Sequence, residues 1–296
     1  MKRVGYLGPR GTFTEMAARV LFHEQVLEPF DTIAEGMKLT EQQEIDIAVV
    51  PLENAIEGSV NVTLDYLIHK HELPIIGEVT VPIEQHLLAR PEEKEQWEQA
   101  EFVHSHPHAI AQCHEFLSRW MPETKAQFTN STSAAAKKLS EGAAEGVVIA
   151  TRLAAEQYGL EIVKENIHDY TNNHTRFVVL AGSEDRAEGL SEEKKVTERT
   201  TMVITLPSDY PGALHQVLAA FSWRKLNLTK IESRPMKTGI GNYFFVMDVE
   251  QPEDDILIPG VIAELEALGF GVRVLGHYPC FELSTAEAKV DSRTSG

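Results

Sequence analysis

Along the first 182 residues, short apolar runs alternate with stripes of helical spacing. The alternation stops at Ala181 to Arg199, a stretch rich in Glu, Lys, Ser and Gly, and a different order follows it. Such a break divides a chain of 296 residues into two folding units, in line with roughly 100–200 residues per domain. The expected bounds are 1–182 for the first unit, 183–199 for a linker, 200–283 for the second unit and 284–296 for a polar tail. The first unit opens with a strand, Arg3 to Leu7, and a turn, Gly8 to Gly11. Thr12-x-x-Glu15 then reads as a capping box. Phe13, Met16, Ala17, Val20 and Leu21 follow at the spacing of one helix face.

The same unit repeats this pattern. Asp46 to Val50, Ile75 to Val81, Gly146 to Ala150 and Thr175 to Leu180 read as strands, the first with the apolar continuity of a buried parallel strand. A helix is expected from Ser105, with Pro107 tolerated in its first turn and Ile110, Cys113, Leu117 and Trp120 on its apolar face. Another begins at Ser131-Thr-Ser133, a run of capping residues. Strands alternating with helices predict an α/β sheet with ligands at the carboxyl ends of the strands. In the second unit, strands at Thr200–Leu206, Leu226–Ser233, Tyr243–Val249 and Val272–Tyr278 are interleaved with helices after Asp209-Tyr-Pro-Gly212 and at Ile256–Leu268. This is the βαββαβ order of the ferredoxin-like split motif.

Charge narrows the function classes. The formal net charge of -18 argues against nucleic acid, which needs a basic stripe. It also means that an anionic substrate must meet local positive potential. No run reaches the roughly 20 apolar residues of a membrane span, and the N-terminus lacks the apolar core of a signal peptide. A cytoplasmic protein with no membrane partner is expected. Cys113 and Cys280 do not suggest a disulfide framework. His104, His106, His108 and His114 cluster, but no carboxylate or cysteine completes a metal set, so no metal is expected.

Six segments in order carry a resemblance: Gly8-Pro-Arg-Gly-Thr-Phe13, Pro51-Leu-Glu-Asn54 with Gly58-Ser-Val60, Ser105-His-Pro-His-Ala-Ile-Ala-Gln-Cys113, Asn173-His-Thr-Arg-Phe177, Gly212-Ala-Leu-His215 and Glu232-Ser-Arg-Pro235. Together they resemble the prephenate dehydratase family, the last two looking like the effector motifs of its regulatory ACT domain. Ala55 stands where the family often has serine, and His108 where glutamine is common. Because the first motif lies at the N-terminus, the monofunctional form is expected, without a fused chorismate mutase domain.

The resemblance implies a two-lobed catalytic domain like a periplasmic binding protein, with lobe two at roughly 80–160 and the active site between the lobes. It also implies the decarboxylative dehydration of prephenate to phenylpyruvate, with no cofactor. Thr175 is implied as donor to the leaving hydroxyl. A threonine hydroxyl does this only inside a polarising network, for which Glu53, Asn54, Ser105 and Gln112 are the implied members. Arg176 follows Thr175, so on an extended strand the two point to opposite faces. Arg176 is assigned to electrostatic and positioning work, reached by a twist or around the strand edge. Gly11, Thr12, Phe13, Thr132, Ser133 and Phe177 form the implied substrate-contacting set, with helix-start amides near Thr12 and Ser131 receiving carboxylate. L-phenylalanine is the implied effector, held by Gly212, Ala213, Leu214, His215, Asn227, Glu232, Ser233, Arg234 and Pro235 between subunits of a homodimer or dimer-based homotetramer. Two alternatives stay open: an arogenate dehydratase, and a two-lobed sensor without catalysis.

Overall fold

The structure is a computed structural model that describes residues 2–23, 25–182, 190, 195–206, 210–236, 243–252 and 254–283. Lobe one is built from β1 (Arg3–Leu7), α1 (Phe13–Phe22), β2 (Val26–Phe30), α2 (Ile33–Glu41), β3 (Ile47–Asn54), β4 (Gly58–Ser59), α3 (Asn61–His69) and β5 (Ile75–Pro82). The chain then leaves for lobe two. This comprises β6 (His86–Ala89), a 3-10 segment (Pro91–Gln99), β7 (Phe102–Ser105), α4 (Pro107–Ala111), α5 (His114–Trp120), β8 (Lys125–Phe128), α6 (Thr132–Ser140), β9 (Val147–Ala150), α7 (Arg152–Tyr158) and β10 (Glu161–Lys164). It returns as β11 (His174–Ala181), inserted antiparallel between β3 and β5. Two crossings therefore join the lobes, and the segment expected at 80–160 builds a separate five-stranded sheet, β10-β6-β9-β7-β8, from His86 to Lys164.

The C-terminal unit runs β12 (Lys195–Thr205), α8 (Ala213–Trp223), β13 (Asn227–Pro235), β14 (Tyr243–Glu250), α9 (Leu257–Ala267) and β15 (Gly271–Glu282). Its strands lie in the order β13-β14-β12-β15 with antiparallel neighbours, the ferredoxin-like arrangement. The sheet does not stop there. The end of β15 pairs in parallel with β5, Cys280 opposite Glu78 and Glu282 opposite Thr80, so the sheets of lobe one and of the C-terminal unit run on as one.

Apolar periodicity explains the packing. On β3, β5 and β11 both faces are buried, because helices cover each side of the sheet. Val49, Val79, Phe177 and Val179 meet Ala17, Ala18 and Phe22 of α1 on one face. On the other, Val50, Val178 and Leu180 meet Met37 of α2 with Leu64 and Leu67 of α3, and the same cluster takes in Val203, Phe244 and Tyr278 of the C-terminal unit. Met202, Phe245 and Met247 pack separately under α8 and α9.

The structure departs from the sequence reading in two places. The helix expected to run from Ser105 through Trp120 is two helices, α4 and α5. The Gln112 carbonyl accepts from Asp169 N–H at 2.7 Å, while the Asp169 carboxylate accepts from Glu115 N–H at 3.2 Å. A tertiary partner thus takes the bond that would continue the helix and caps the next one. Trp120 is correspondingly exposed. The last five linker residues, 195–199, are already strand β12. The rest of the linker apart from Leu190, and the tail 284–296, lie outside the described residues.

Candidate active site

A cleft of about 810 Å³ separates the lobes, within the range of small-molecule sites. Two helices aim their N-termini at it from opposite sides. In lobe one Thr12 caps α1, its Oγ1 accepting from Glu15 N–H at 3.3 Å, and Thr12, Phe13 and Thr14 form wall. Glu15 reaches back to Gly11 N–H at 2.6 Å, one residue beyond the N-cap N–H that the reciprocal capping box would take. In lobe two Ser131 caps α6, its Oγ accepting from Ala134 N–H at 3.0 Å, and Ser131, Thr132 and Ala134 face Thr12 across the gap. Free N–H groups and the positive ends of two helix dipoles therefore converge on the cleft. Among the described residues that line it there is no lysine or arginine. In a chain of net charge -18, these amides are the groups of the wall suited to an anion.

The floor of the cleft is where β3 and β11 end side by side. Thr175 lies opposite Asn54 and Arg176 opposite Glu53. Alternation along the strands sends the two cross-strand pairs to opposite faces. Thr175 and Asn54 face the cleft. Asn54 Nδ2 donates to Thr175 Oγ1 at 2.8 Å and to Asn173 Oδ1 at 2.8 Å, while Asn54 Oδ1 accepts from Ile56 and Glu57 N–H, both at 3.0 Å. Those two backbone donors fix which end of the amide is oxygen. Nδ2 is therefore a donor to Thr175, and the Thr175 proton is left to point at a ligand. Asn173 Nδ2 donates to Gln112 Oε1 at 3.3 Å, and Gln112 Nε2 lies 3.4 Å from Glu57 Oε1. Through Gln112, on the turn between α4 and α5, the network crosses to lobe two. His106 and His108 stand edge to face at the cleft mouth, with His108 Nδ1 3.6 Å from Glu57 Oε2. Burial and the neighbouring His108 hold the His106 pKa below its ordinary value, against the opposing pull of Glu57.

Of the other expected residues, Ser105, Gly11 and Ser133 lie behind or beneath the cleft. Ser105 is fully buried and donates to the Ile149 carbonyl at 2.6 Å, tying β7 to β9 beneath the cleft. Gly11 and Ser133 form the contact between lobes behind it: Ser133 Oγ donates to the Arg10 carbonyl, and Thr151 Oγ1 to the Gly11 carbonyl at 2.7 Å. Gly11 has φ +82°, and a Cβ there would sit 2.8 Å from Ser133 Oγ and 2.9 Å from Ala154 Cα, so the close approach requires glycine. Phe177 lines the cleft.

Arg176 and Glu53 face the opposite way. Arg176 binds Glu53 at 2.7 Å, Glu78 at 2.6 Å and Asp248 at 2.7 Å, and Arg199 adds a further bond to Glu78. Burial alone would raise the Glu78 pKa, but the Arg176 and Arg199 guanidiniums hold it below the usual carboxylate range. Arg176 and Glu53 thus sit at the junction with the C-terminal unit, whose β13 supplies Lys230 to Glu53 at 2.9 Å. From the same strand, Glu232 accepts from Ser59 Oγ at 2.5 Å, and Arg234 pairs with Asp65 at 2.8 Å.

Within the chain, no hydrogen bond or ion pair among the described residues joins Gly212, Ala213, Leu214 and His215 at the start of α8 to Glu232–Pro235. Glu232 and Arg234 turn toward lobe one, Ser233 and Pro235 are exposed, and Asn227 Nδ2 lies 3.4 Å from Glu250. Sequence reasoning did not single out Asn173, Glu57, His106 or His108 as site residues. Asn173, His106 and His108 were in view inside their motifs; Glu57 comes to the cleft through tertiary packing.

A cleft between two α/β lobes, with helix N-termini on both sides and an oriented hydroxyl on its floor, defines a two-lobed α/β protein with a small-molecule site between its lobes. Comparison with known proteins agrees. The family model described as prephenate dehydratase matches residues 4–185. A prephenate dehydratase of Bacillus subtilis (strain 168) is 50% identical over 284 residues, covering 95% of this chain and 100% of that protein. The crystal structure of the Arthrobacter aurescens prephenate dehydratase in complex with L-Phe superposes with a TM-score of 0.81 at 33% identity, covering 99% of this chain and 100% of that one. A structure described as GqqA, a novel type of quorum quenching acylase, has a TM-score of 0.79 at 26% identity, covering 94% and 98%. The chain belongs to the prephenate dehydratase family.

Proposed function

We propose that this chain is a carbon–oxygen lyase that converts prephenate to phenylpyruvate, carbon dioxide and water, and that L-phenylalanine restrains it through the C-terminal unit acting as an ACT domain. The observation that carries the reaction is the Asn54 Nδ2 donation to Thr175 Oγ1. An amide donor on the hydroxyl oxygen polarises its O–H bond and leaves the proton directed away from Asn54. As the ring carboxylate of prephenate leaves as carbon dioxide, its bonding pair enters the ring. The C4–O bond breaks, and Thr175 gives its proton to the departing oxygen, which leaves as water. Thr175 regains a proton from solvent. The two carboxylates of the substrate fall to the amides at the starts of α1 and α6. Aromatisation supplies the driving force, so positioning and one well-placed proton donor suffice.

Regulation follows from the two cross-strand pairs. Asn54 and Thr175 belong to the cleft, while their immediate neighbours Glu53 and Arg176 belong to the junction with β13. A shift of β13 that moves Lys230 displaces Glu53 and, one residue along, Asn54. Strand β13 lies at the outer edge of the sheet and presents unpaired backbone groups to a second copy. Homodimer formation along that edge is the assembly that brings the start of α8 in one subunit toward Glu232–Pro235 of the next. A cytoplasmic biosynthetic step is the setting this reading implies. The test is direct: purified protein with prephenate, and separately with arogenate, followed by product absorbance with and without L-phenylalanine. Phenylpyruvate formed from prephenate and suppressed by L-phenylalanine supports the reading. Turnover of arogenate alone redirects it to the amino analogue, and turnover of neither overturns it.

A further inference from the structure

The hydrogen bonds on the cleft floor close into a ring, and Glu57 enters it twice. Its N–H donates to Asn54 Oδ1 at 3.0 Å. Asn54 Nδ2 donates to Asn173 Oδ1 at 2.8 Å, Asn173 Nδ2 donates to Gln112 Oε1 at 3.3 Å, and Gln112 Nε2 lies 3.4 Å from Glu57 Oε1. The direction of each bond follows from the one before. Asn54 is pinned by backbone donors, so Asn173 must offer it the oxygen and turn its own nitrogen to Gln112. Gln112 in turn must present its nitrogen on the far side. What it meets there is a carboxylate, which only accepts. This last link joins the lobes, since Glu57 lies on the turn between β3 and β4 and Gln112 on the turn between α4 and α5. The second oxygen, Glu57 Oε2, also faces lobe two, 3.6 Å from His108 Nδ1. A carboxylate is otherwise the wrong charge for this place. The described residues of the wall include no lysine or arginine, and Asp31 is already there, so Glu57 opposes the entry of an anion.

We infer that Glu57 is a positioning residue for the reaction: its carboxylate holds Gln112 of lobe two at the front of the cleft and so completes the ring that keeps Asn54 aimed at Thr175. The assignment rests on the reaction proposed above. Glu57 acts through others and touches neither Thr175 nor the reacting atoms. Without the carboxylate, Gln112 Nε2 loses its acceptor, and the Gln112 side chain is free to turn away from Asn173. Asn173 can then rotate its oxygen off Asn54 Nδ2, and the donor that polarises Thr175 loses its fixed direction. Proton donation is thereby tied to the closeness of the lobes, so that the acid is fully assembled where the substrate is enclosed.

Prephenate turnover by wild type, and its loss in Thr175→Ala, first establish the reaction independently. The test then compares two variants. Glu57→Ala keeps the backbone N–H on Asn54 and removes the carboxylate. Glu57→Gln keeps an acceptor oxygen for Gln112 and removes the charge. Glu57 is exposed, so both should unfold at the wild-type temperature. The expected result is a kcat for prephenate about 10-fold lower or more in Glu57→Ala, and within about threefold of wild type in Glu57→Gln. KM should be unchanged or lower in both, because a negative charge has left the wall. In a Gln112→Leu background, Glu57→Ala should lower kcat no further, since the link it removes is already gone. A kcat within about twofold of wild type in Glu57→Ala would overturn the assignment. Equal impairment of the two variants would do the same, by making the charge decisive rather than the acceptor. So would a full further loss in the Gln112→Leu background, or a raised KM at wild-type kcat, which would place Glu57 in substrate binding.

Discussion

At the scale of single residues, the account turns on the direction of one hydrogen bond. Asn54 is pinned by two backbone donors, so its amide nitrogen faces Thr175. Replacing it with aspartate changes a donor into an acceptor at nearly constant shape. The Thr175 proton then turns to the new carboxylate and is withdrawn from the substrate. Asn54→Asp should reduce kcat by about 10²-fold or more, with a modest change in KM, measured by steady-state turnover of prephenate. Thr175, Asn54, Gln112, Thr12, Phe13, Thr132 and Phe177 were legible as short motifs, and each lies in or beside the cleft wall. Arg176 and Glu53 occur in the same motifs yet face the junction. Strand alternation signalled this for Arg176, and the register Arg176 opposite Glu53 extends it to both. Glu57 carried no local signature, since a bridging carboxylate is defined only by what the fold places around it.

At the scale of elements, the helix starts do the electrostatic work and their sequences announced them. Thr12 and Ser131 cap as expected, each accepting from the N–H three residues on. Substituting Ser131 with alanine should cost about 1 kcal/mol of stability, seen as a lower midpoint in urea unfolding, and should raise KM because the first turn of α6 loses its fixed geometry. Gly11 tests the contact between lobes. In Gly11→Ala the added carbon meets the Ala154 backbone and φ +82° is strained for any L side chain. The lobes must move apart, and KM should rise with thermal stability falling together, whereas an unchanged KM would separate that contact from the cleft. The division of the Ser105–Trp120 helix was not legible, because the residue that breaks it, Asp169, lies more than fifty positions away. Strand β2 was missed for a related reason: Pro29 and mostly exposed residues give it no apolar alternation, and it forms by pairing with β1.

At the scale of the whole molecule, lobe one and the C-terminal unit share a sheet, an apolar cluster and a buried charge network. The βαββαβ order was readable from spacing, but its docking was not, since β5 and β15 meet through residues some two hundred positions apart. The network has a pH signature. Glu78 stays ionised to lower pH in the folded chain than in the unfolded one, so its contribution is complete above the ordinary carboxylate range and is lost as pH falls through its depressed folded value. Glu78→Gln should therefore lower stability at neutral pH, and the difference from wild type should shrink in acid, as read by thermal unfolding across pH. Lys230 lies outside the cleft and links β13 to Glu53. Lys230→Met should keep turnover within a few-fold of wild type while raising the L-phenylalanine concentration needed for half-inhibition severalfold. Equal inhibition of the two proteins would place the coupling elsewhere. The central claim, that the Thr175 hydroxyl delivers the proton, is tested most directly by kcat for prephenate in Thr175→Ala beside Thr175→Ser. The account predicts a loss of about 10²–10⁴-fold in the alanine variant and substantial retention in the serine variant, with KM little changed in both. Turnover by Thr175→Ala near the wild-type rate would contradict it.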